Sequence, residues 1–133
     1  MKVYTHYLEE GACFRWRTLL QFGNSWDIIG SVVMKNPGTA APKCQVTDKN
    51  TLKLLSFFDN TMYDWFEFSP DSTMNCVGDL FAYYYDKSNK NDLQGVVQIF
   101  NLFYLREGDL GKALELHKKN KFPFASEEEI IQN

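Results

Sequence analysis

Val32-Val33-Met34-Lys35-Asn36-Pro37-Gly38-Thr39-Ala40 decides how this chain is read. With Ile28 and Ile29 just before it, the run supplies the β-branched apolar residues of a strand. Asn-Pro-Gly then stops it, because Pro fixes φ and Gly tolerates a turn. A strand that ends in a tight polar loop is where ligands sit in an open α/β sheet, beyond the carboxyl ends of the strands. The stretch therefore marks a place before it marks a reaction.

The flanking sequence supplies the rest of an α/β domain. Residues 2–8 alternate, with Val3, Thr5 and Tyr7 on one side. Glu9-Glu10-Gly11-Ala12 reads as a turn, and residues 13–22 alternate again, which predicts an antiparallel hairpin. Thr47 or Asp48 caps an expected helix to about Phe58, with Leu52, Leu55 and Phe58 on one face. Residues 59–70, with Trp65, Phe66 and Phe68, read as a loop or short strand. Asp71-Ser72-Thr73 opens a second helix to about Tyr85, carrying Met74, Val77, Leu80, Phe81, Tyr84 and Tyr85 at helical spacing. Val96–Phe103 is a second buried strand, and the long crossover from Val32–Val33 predicts a parallel pair. Asp109 caps a helix to about Lys118, bearing Leu110, Ala113, Leu114 and His117, and Ser126-Glu127-Glu128-Glu129 is a capping box. A cap with so few residues after it suggests a longer domain cut short. The expectation is a single α/β domain over residues 1–133, with a central parallel strand pair, an N-terminal antiparallel hairpin and flanking helices.

Composition limits the function. The 133 residues are 44% hydrophobic and 16% aromatic, enough for one core and too few for two domains. A net charge of −3 argues against a dominant phosphate-backbone footprint. The three cysteines, Cys13, Cys44 and Cys76, have no CxxC spacing, so neither a disulfide scaffold nor a zinc site is expected. His6 and His117 are too few and too far apart for a metal pair. No Gly-rich phosphate loop and no Ser/His/Asp grouping is legible, and no cofactor is expected. Without a secretion signal or an apolar run of about 20 residues, the expectation is a cytoplasmic protein with no membrane contact.

The candidate site residues each have a structural reading beside the functional one. Asn36-Pro37-Gly38-Thr39 is a turn or a turn with a ligand. Asn101 is an amide in an apolar strand and needs partners, since an unsatisfied buried polar group costs on the order of 1–3 kcal/mol. Asp71-Ser72-Thr73 is an N-cap, and its backbone N–H groups also suit an anion. Arg15 and Arg17 fall on one strand face by the period of two, as a solvated face or a phosphate clamp.

Four pieces in order resemble a bacterial family, the domain of unknown function number sixteen forty-three. Phe14-Arg15-Trp16-Arg17-Thr18-Leu19-Leu20 resembles its arginine-bearing opening strand, and Val33–Ala40 its "MLNPSTAD" signature. Asp71–Cys76 resembles its "DPTIRRC" segment, and Val97–Phe103 its "VVNLFA" strand. Gly38 stands for the signature serine and Ala41 for its aspartate. The resemblance covers residues 13 to 110 and implies an α/β fold with a motif-lined site. Asn36-Pro37-Gly38 is also similar to the "GINPG" motif of mismatch-specific uracil-DNA glycosylases. Asn101 is placed like that superfamily's base-reading asparagine, and Arg106 resembles the arginine of its "TNVVKCRP" pattern. That likeness implies Asn36 as a water-positioning catalytic residue and a nucleotide or nucleic acid as partner. A non-enzymatic binding module is the other class the sequence allows.

Overall fold

The fold was established from a computed structural model that describes residues 1–10, 12–35, 38, 40–60 and 63–102. The expected helix from Asp109, the capping box at Ser126, His117 and the candidate site residues Asn36, Pro37, Thr39 and Arg106 lie outside the described residues.

Two long strands, β1 (Lys2–Glu10) and β2 (Ala12–Phe22), form the expected hairpin. They are followed by β3 (Ile28–Met34), β4 (Pro42–Gln45), helix α1 (Lys49–Leu55), β5 (Trp65–Phe68), helix α2 (Ser72–Tyr84) and β6 (Gly95–Asn101). Together the strands make one sheet in the order β3-β6-β2-β1-β5-β4. The parallel pair is β3 with β6, and every other pairing is antiparallel. The pair lies at one edge rather than at the centre. The reason is the hairpin: β2 takes the free side of β6, so the antiparallel strands fill the middle. The short β4 was not legible in its polar stretch, which contains Pro42 and Lys43.

Side-chain alternation divides the core in two. Val3, Leu20, Phe68, Val97 and Ile99 face α2, where Met74, Val77 and Ala82 meet them. Tyr4, Leu19, Trp65 and Val96 point the other way, onto Leu55 of α1, flanked by Leu52 and Phe58. Leu55 has no solvent exposure, a burial worth roughly 1.5–3 kcal/mol. Helix α1 starts where Asp48 accepts from Thr51 N–H at 2.8 Å, so Asp48 rather than Thr47 is the cap. That hydrogen bond holds the Asp48 carboxyl below its ordinary range. Gly95 opens β6 with φ +138°, and a Cβ there would lie 2.7 Å from the Asp27 carbonyl, so only glycine fits.

Two expectations about faces are corrected. First, Leu80, Tyr84 and Tyr85 are exposed, because α2 buries the stripe Met74-Val77-Gly78-Ala82 instead. Second, Arg15 and Arg17 are on opposite faces. Tyr4 pairs with Leu19 and His6 with Trp16, so Thr5 faces both Arg17 and Thr18. This is a β-bulge, with Arg17 at φ +53°. The left-handed conformation costs a non-glycine residue about 1–3 kcal/mol. The Thr5 hydroxyl closes the bulge, donating to the Trp16 carbonyl at 2.8 Å and accepting from the Thr18 hydroxyl at 3.1 Å.

Candidate functional site

Beyond the bulge, Arg17 enters a buried charged cluster under α1's side of the sheet. Its Nε is 3.6 Å from Asp59 Oδ2, and the same oxygen is 2.9 Å from His6 Nε2. His6 Nδ1 lies 2.9 Å from the Asp64 carbonyl. A carbonyl and a carboxylate both accept, so the two contacts together need a proton on each ring nitrogen or one on the carboxyl. The His6 ring stacks at 4.0 Å on Trp65, with Trp16 and Tyr63 closing the cage. Arg17 is thus a structural ion-pair partner and takes no part in the candidate site.

Arg15 keeps the other face and reaches a cavity of about 500 Å3. The cavity sits beyond the carboxyl ends of the parallel strands β3 and β6, where the strand-loop reading placed it. Four segments meet there. Strand β2 gives Arg15 and Thr18. The end of β3 and its loop give Met34, Lys35 and Gly38. The first turn of α2 gives Asp71, Ser72 and Thr73, and β6 gives Asn101. The sequence therefore brings together six of its described candidates, Arg15, Gly38, Asp71, Ser72, Thr73 and Asn101. It missed Thr18 and Lys35, whose pattern of alternation carried no chemical signal until the bulge and the sheet order were known.

Each wall has a local cause. Asp71 caps α2, its Oδ1 accepting from Met74 N–H at 2.9 Å, and the first turn of the helix, Ser72 and Thr73, lines the cavity. Gly38 passes against this cap, since a Cβ there would lie 2.6 Å from Asp71 Oδ2. The glycine at position 38 thus leaves room for the carboxylate. Arg15 is 2% exposed, with its guanidinium 5.5 Å from the centroid of Phe68, a cation–π contact that fixes it against the sheet. Tyr7, opposite Arg15 in the hairpin, packs edge-on against Phe66 and Phe68. Burial, and then hydrogen bonding to Cys13 and Glu9, pushes its phenol well above the ordinary value.

Asn101 is 3% exposed and lines the cavity at the last position of β6. Its side-chain amide makes no hydrogen bond to any described residue, so both its donor and its acceptor are available to an occupant. Among the described lining residues Arg15 and Lys35 are cationic and Asp71 anionic, and the α2 N-terminus adds partial positive charge. The walls between these groups are apolar, formed by Val32, Met34, Met74 and Ile99. A mixed apolar cavity with a few convergent polar groups is the usual form of a small-ligand site.

No protein-family model, curated protein or solved structure matches this chain.

Among the described residues no group of His, Cys, Asp and Glu could hold a metal ion, and no helix is long and apolar enough to cross a membrane. Cys13, Cys44 and Cys76 are free thiols and none lines the cavity.

Proposed function

We propose that the cavity binds a pyrimidine nucleotide or the same unit within a nucleic acid. One observation carries the reading: a buried guanidinium, a buried unengaged amide and a helix N-terminus converge on one cavity. Arg15 and the N–H groups of α2 suit a phosphate, the first through its planar fork and the second through aligned dipoles. Asn101 suits a base edge that presents both a donor and an acceptor. The uracil-glycosylase likeness gives this reading its catalytic form, with Asn36 orienting water at the glycosidic carbon. The non-enzymatic form keeps the same contacts without turnover.

The test is calorimetric titration with dUMP, uridine and inorganic phosphate. The nucleotide binds, the fragments bind more weakly, and Asn101→Asp weakens nucleotide without weakening phosphate equally. Failure of dUMP at 10 mM to bind or to raise the melting temperature refutes the reading, since a ligand at many times its Kd stabilises by several kcal/mol. Uracil release from single-stranded DNA separates the two forms. The enzyme form loses release in Asn36→Ala with the melting temperature unchanged, and the binding form shows saturable affinity and no release.

A further inference from the structure

The two edges of the sheet are built differently. The β4 edge is four residues long, carries Pro42 and Lys43, and is charged and short in the way that protects sheet edges from further pairing. The β3 edge is seven residues, IIGSVVM, with no charge and no proline. Its hydrogen-bonding phase can be read from its neighbours. Leu102 N–H donates to the Met34 carbonyl at 2.8 Å and Val96 N–H to the Asp27 carbonyl at 2.7 Å. Met34 therefore turns its backbone inward to β6, as does Val32, and Ser31 and Val33 turn theirs outward. The Ile29 carbonyl is already taken by the Tyr85 hydroxyl.

Apolar side chains flank this open edge on both faces of the sheet. Toward α2, Ile29, Gly30, Leu80, Phe81, Tyr83 and Tyr84 line a groove of about 570 Å3, with Tyr83 86% and Tyr84 77% exposed. Toward α1, Ile28, Val33 and Phe57 line a second depression, with Phe57 80% and Val33 58% exposed. At the roughly 150–250 Å2 an aromatic side chain buries, the exposed parts of Phe57, Tyr83 and Tyr84 offer about 500 Å2. Ile28, Val33 and Leu80 bring the patch close to the about 800 Å2 per partner of a stable complex. Among the described residues no strand pairs with β3 on its outer side.

We infer that the occupant of this edge is a second copy of the chain, paired β3 to β3 antiparallel across a two-fold axis at Val32. The phase fits that symmetry. Ser31 of one copy and Val33 of the other stand opposite, with both backbones turned outward, so two such pairs give four hydrogen bonds. The exposed Tyr83, Tyr84 and Leu80 of each α2 then cover the joint on one face, and Phe57 and Ile28 cover it on the other. The sheet becomes continuous across the pair, with the protected β4 strands at its two ends.

Analytical ultracentrifugation of the full chain tests the pairing. The expected mass is twice the 15.5 kDa of the single chain at tens of micromolar. Ser31→Lys, which places a charge on the open edge, weakens self-association by at least tenfold. Tyr83→Lys does the same from a surface position whose side chain supports no core packing, so the test survives if the strand variant fails to fold. Amide exchange at Ser31 and Val33 slows with rising protein concentration. A single-chain mass at 200 μM overturns the inference. So does a dimer that Tyr83→Lys weakens while Ser31→Lys leaves it and the Ser31 and Val33 exchange rates unchanged.

Discussion

Replacing Asp71 two ways separates its structural role from its electrostatic one. The carboxylate caps α2 through one 2.9 Å hydrogen bond from Met74 N–H and contributes a negative charge to the cavity. Asp71→Ala removes both. Loss of an N-cap costs about 1 kcal/mol, within a range of roughly 0.5–2, and loss of the charge at the helix N-terminus adds about 0.3–1 kcal/mol. Asp71→Asn keeps the cap, because asparagine caps as well as aspartate, and loses only the smaller term. For a domain of this size 1 kcal/mol moves the melting temperature by about 3–5 °C. The alanine variant therefore melts about 4–10 °C lower and the asparagine variant about 1–5 °C lower than the parent. Binding runs the opposite way. Neutralising Asp71 removes one negative charge from the cavity lining, so Asp71→Asn binds phosphate and dUMP several-fold more tightly at low salt. Differential scanning calorimetry and titration calorimetry on the same samples read both quantities. Equal losses of stability in the two variants refute the capping role, and unchanged anion affinity in Asp71→Asn refutes the electrostatic reading of the cavity.

Three further predictions follow from geometry already described. Gly38→Ala forces a Cβ to within 2.6 Å of Asp71 Oδ2, displacing the cap, so it lowers stability by about 1 kcal/mol and weakens ligand binding. A melting temperature equal to the parent's shows that the loop yields instead. Asp59→Ala leaves His6 and Arg17 buried without their shared carboxylate and costs about 3–5 kcal/mol in urea unfolding, while dUMP binding to the refolded protein is preserved. A cost under 1 kcal/mol contradicts the buried cluster. At alkaline pH, Tyr4 and Tyr7 both have phenols raised above the ordinary value of 10.0, chiefly by burial. The unfolded chain then ionises first, so the stability present below pH 10 is lost progressively as pH rises above it. Tyr7→Phe makes that slope shallower in pH-dependent denaturation, and an unchanged slope argues against a raised Tyr7 phenol.

Much of this architecture was legible because local signals agreed. Alternation over residues 2–22 gave the hairpin, and Asp48 and Asp71 stood at the starts of two apolar helical patterns. The strand-then-turn reading at Met34–Gly38 placed the cavity, and Asn101, an amide at the end of an apolar run, stood out by its burial cost. What failed depended on tertiary context. Nothing in Arg15-Trp16-Arg17 announces a bulge, because its register is set across the sheet by Thr5. Strand β3 looked central by its β-branched content, yet edge or centre is decided by which strand claims β6. The helical spacing of Leu80, Tyr84 and Tyr85 was real, but two apolar stripes competed on α2. The one carrying Gly78 and Ala82 won because small residues let the helix approach the sheet.

The extra residue at Arg17 works as a phase shift in the β2 strand. Upstream of it odd positions face the cavity, and downstream of it even positions do. A one-residue deletion there would restore strict alternation while the hairpin turn and the downstream ladder to β6 kept their places. The upstream half of β2 would keep Arg15 toward the cavity and Trp16 against His6, and only the Arg17 contact to Asp59 would be lost. The bulge therefore partitions two arginines of one tripeptide between two unrelated duties, one holding the fold and one facing the occupant. Proteins that share this β2 sequence without the inserted residue should keep the Arg15 wall and lack the ion pair that Arg17 makes with Asp59.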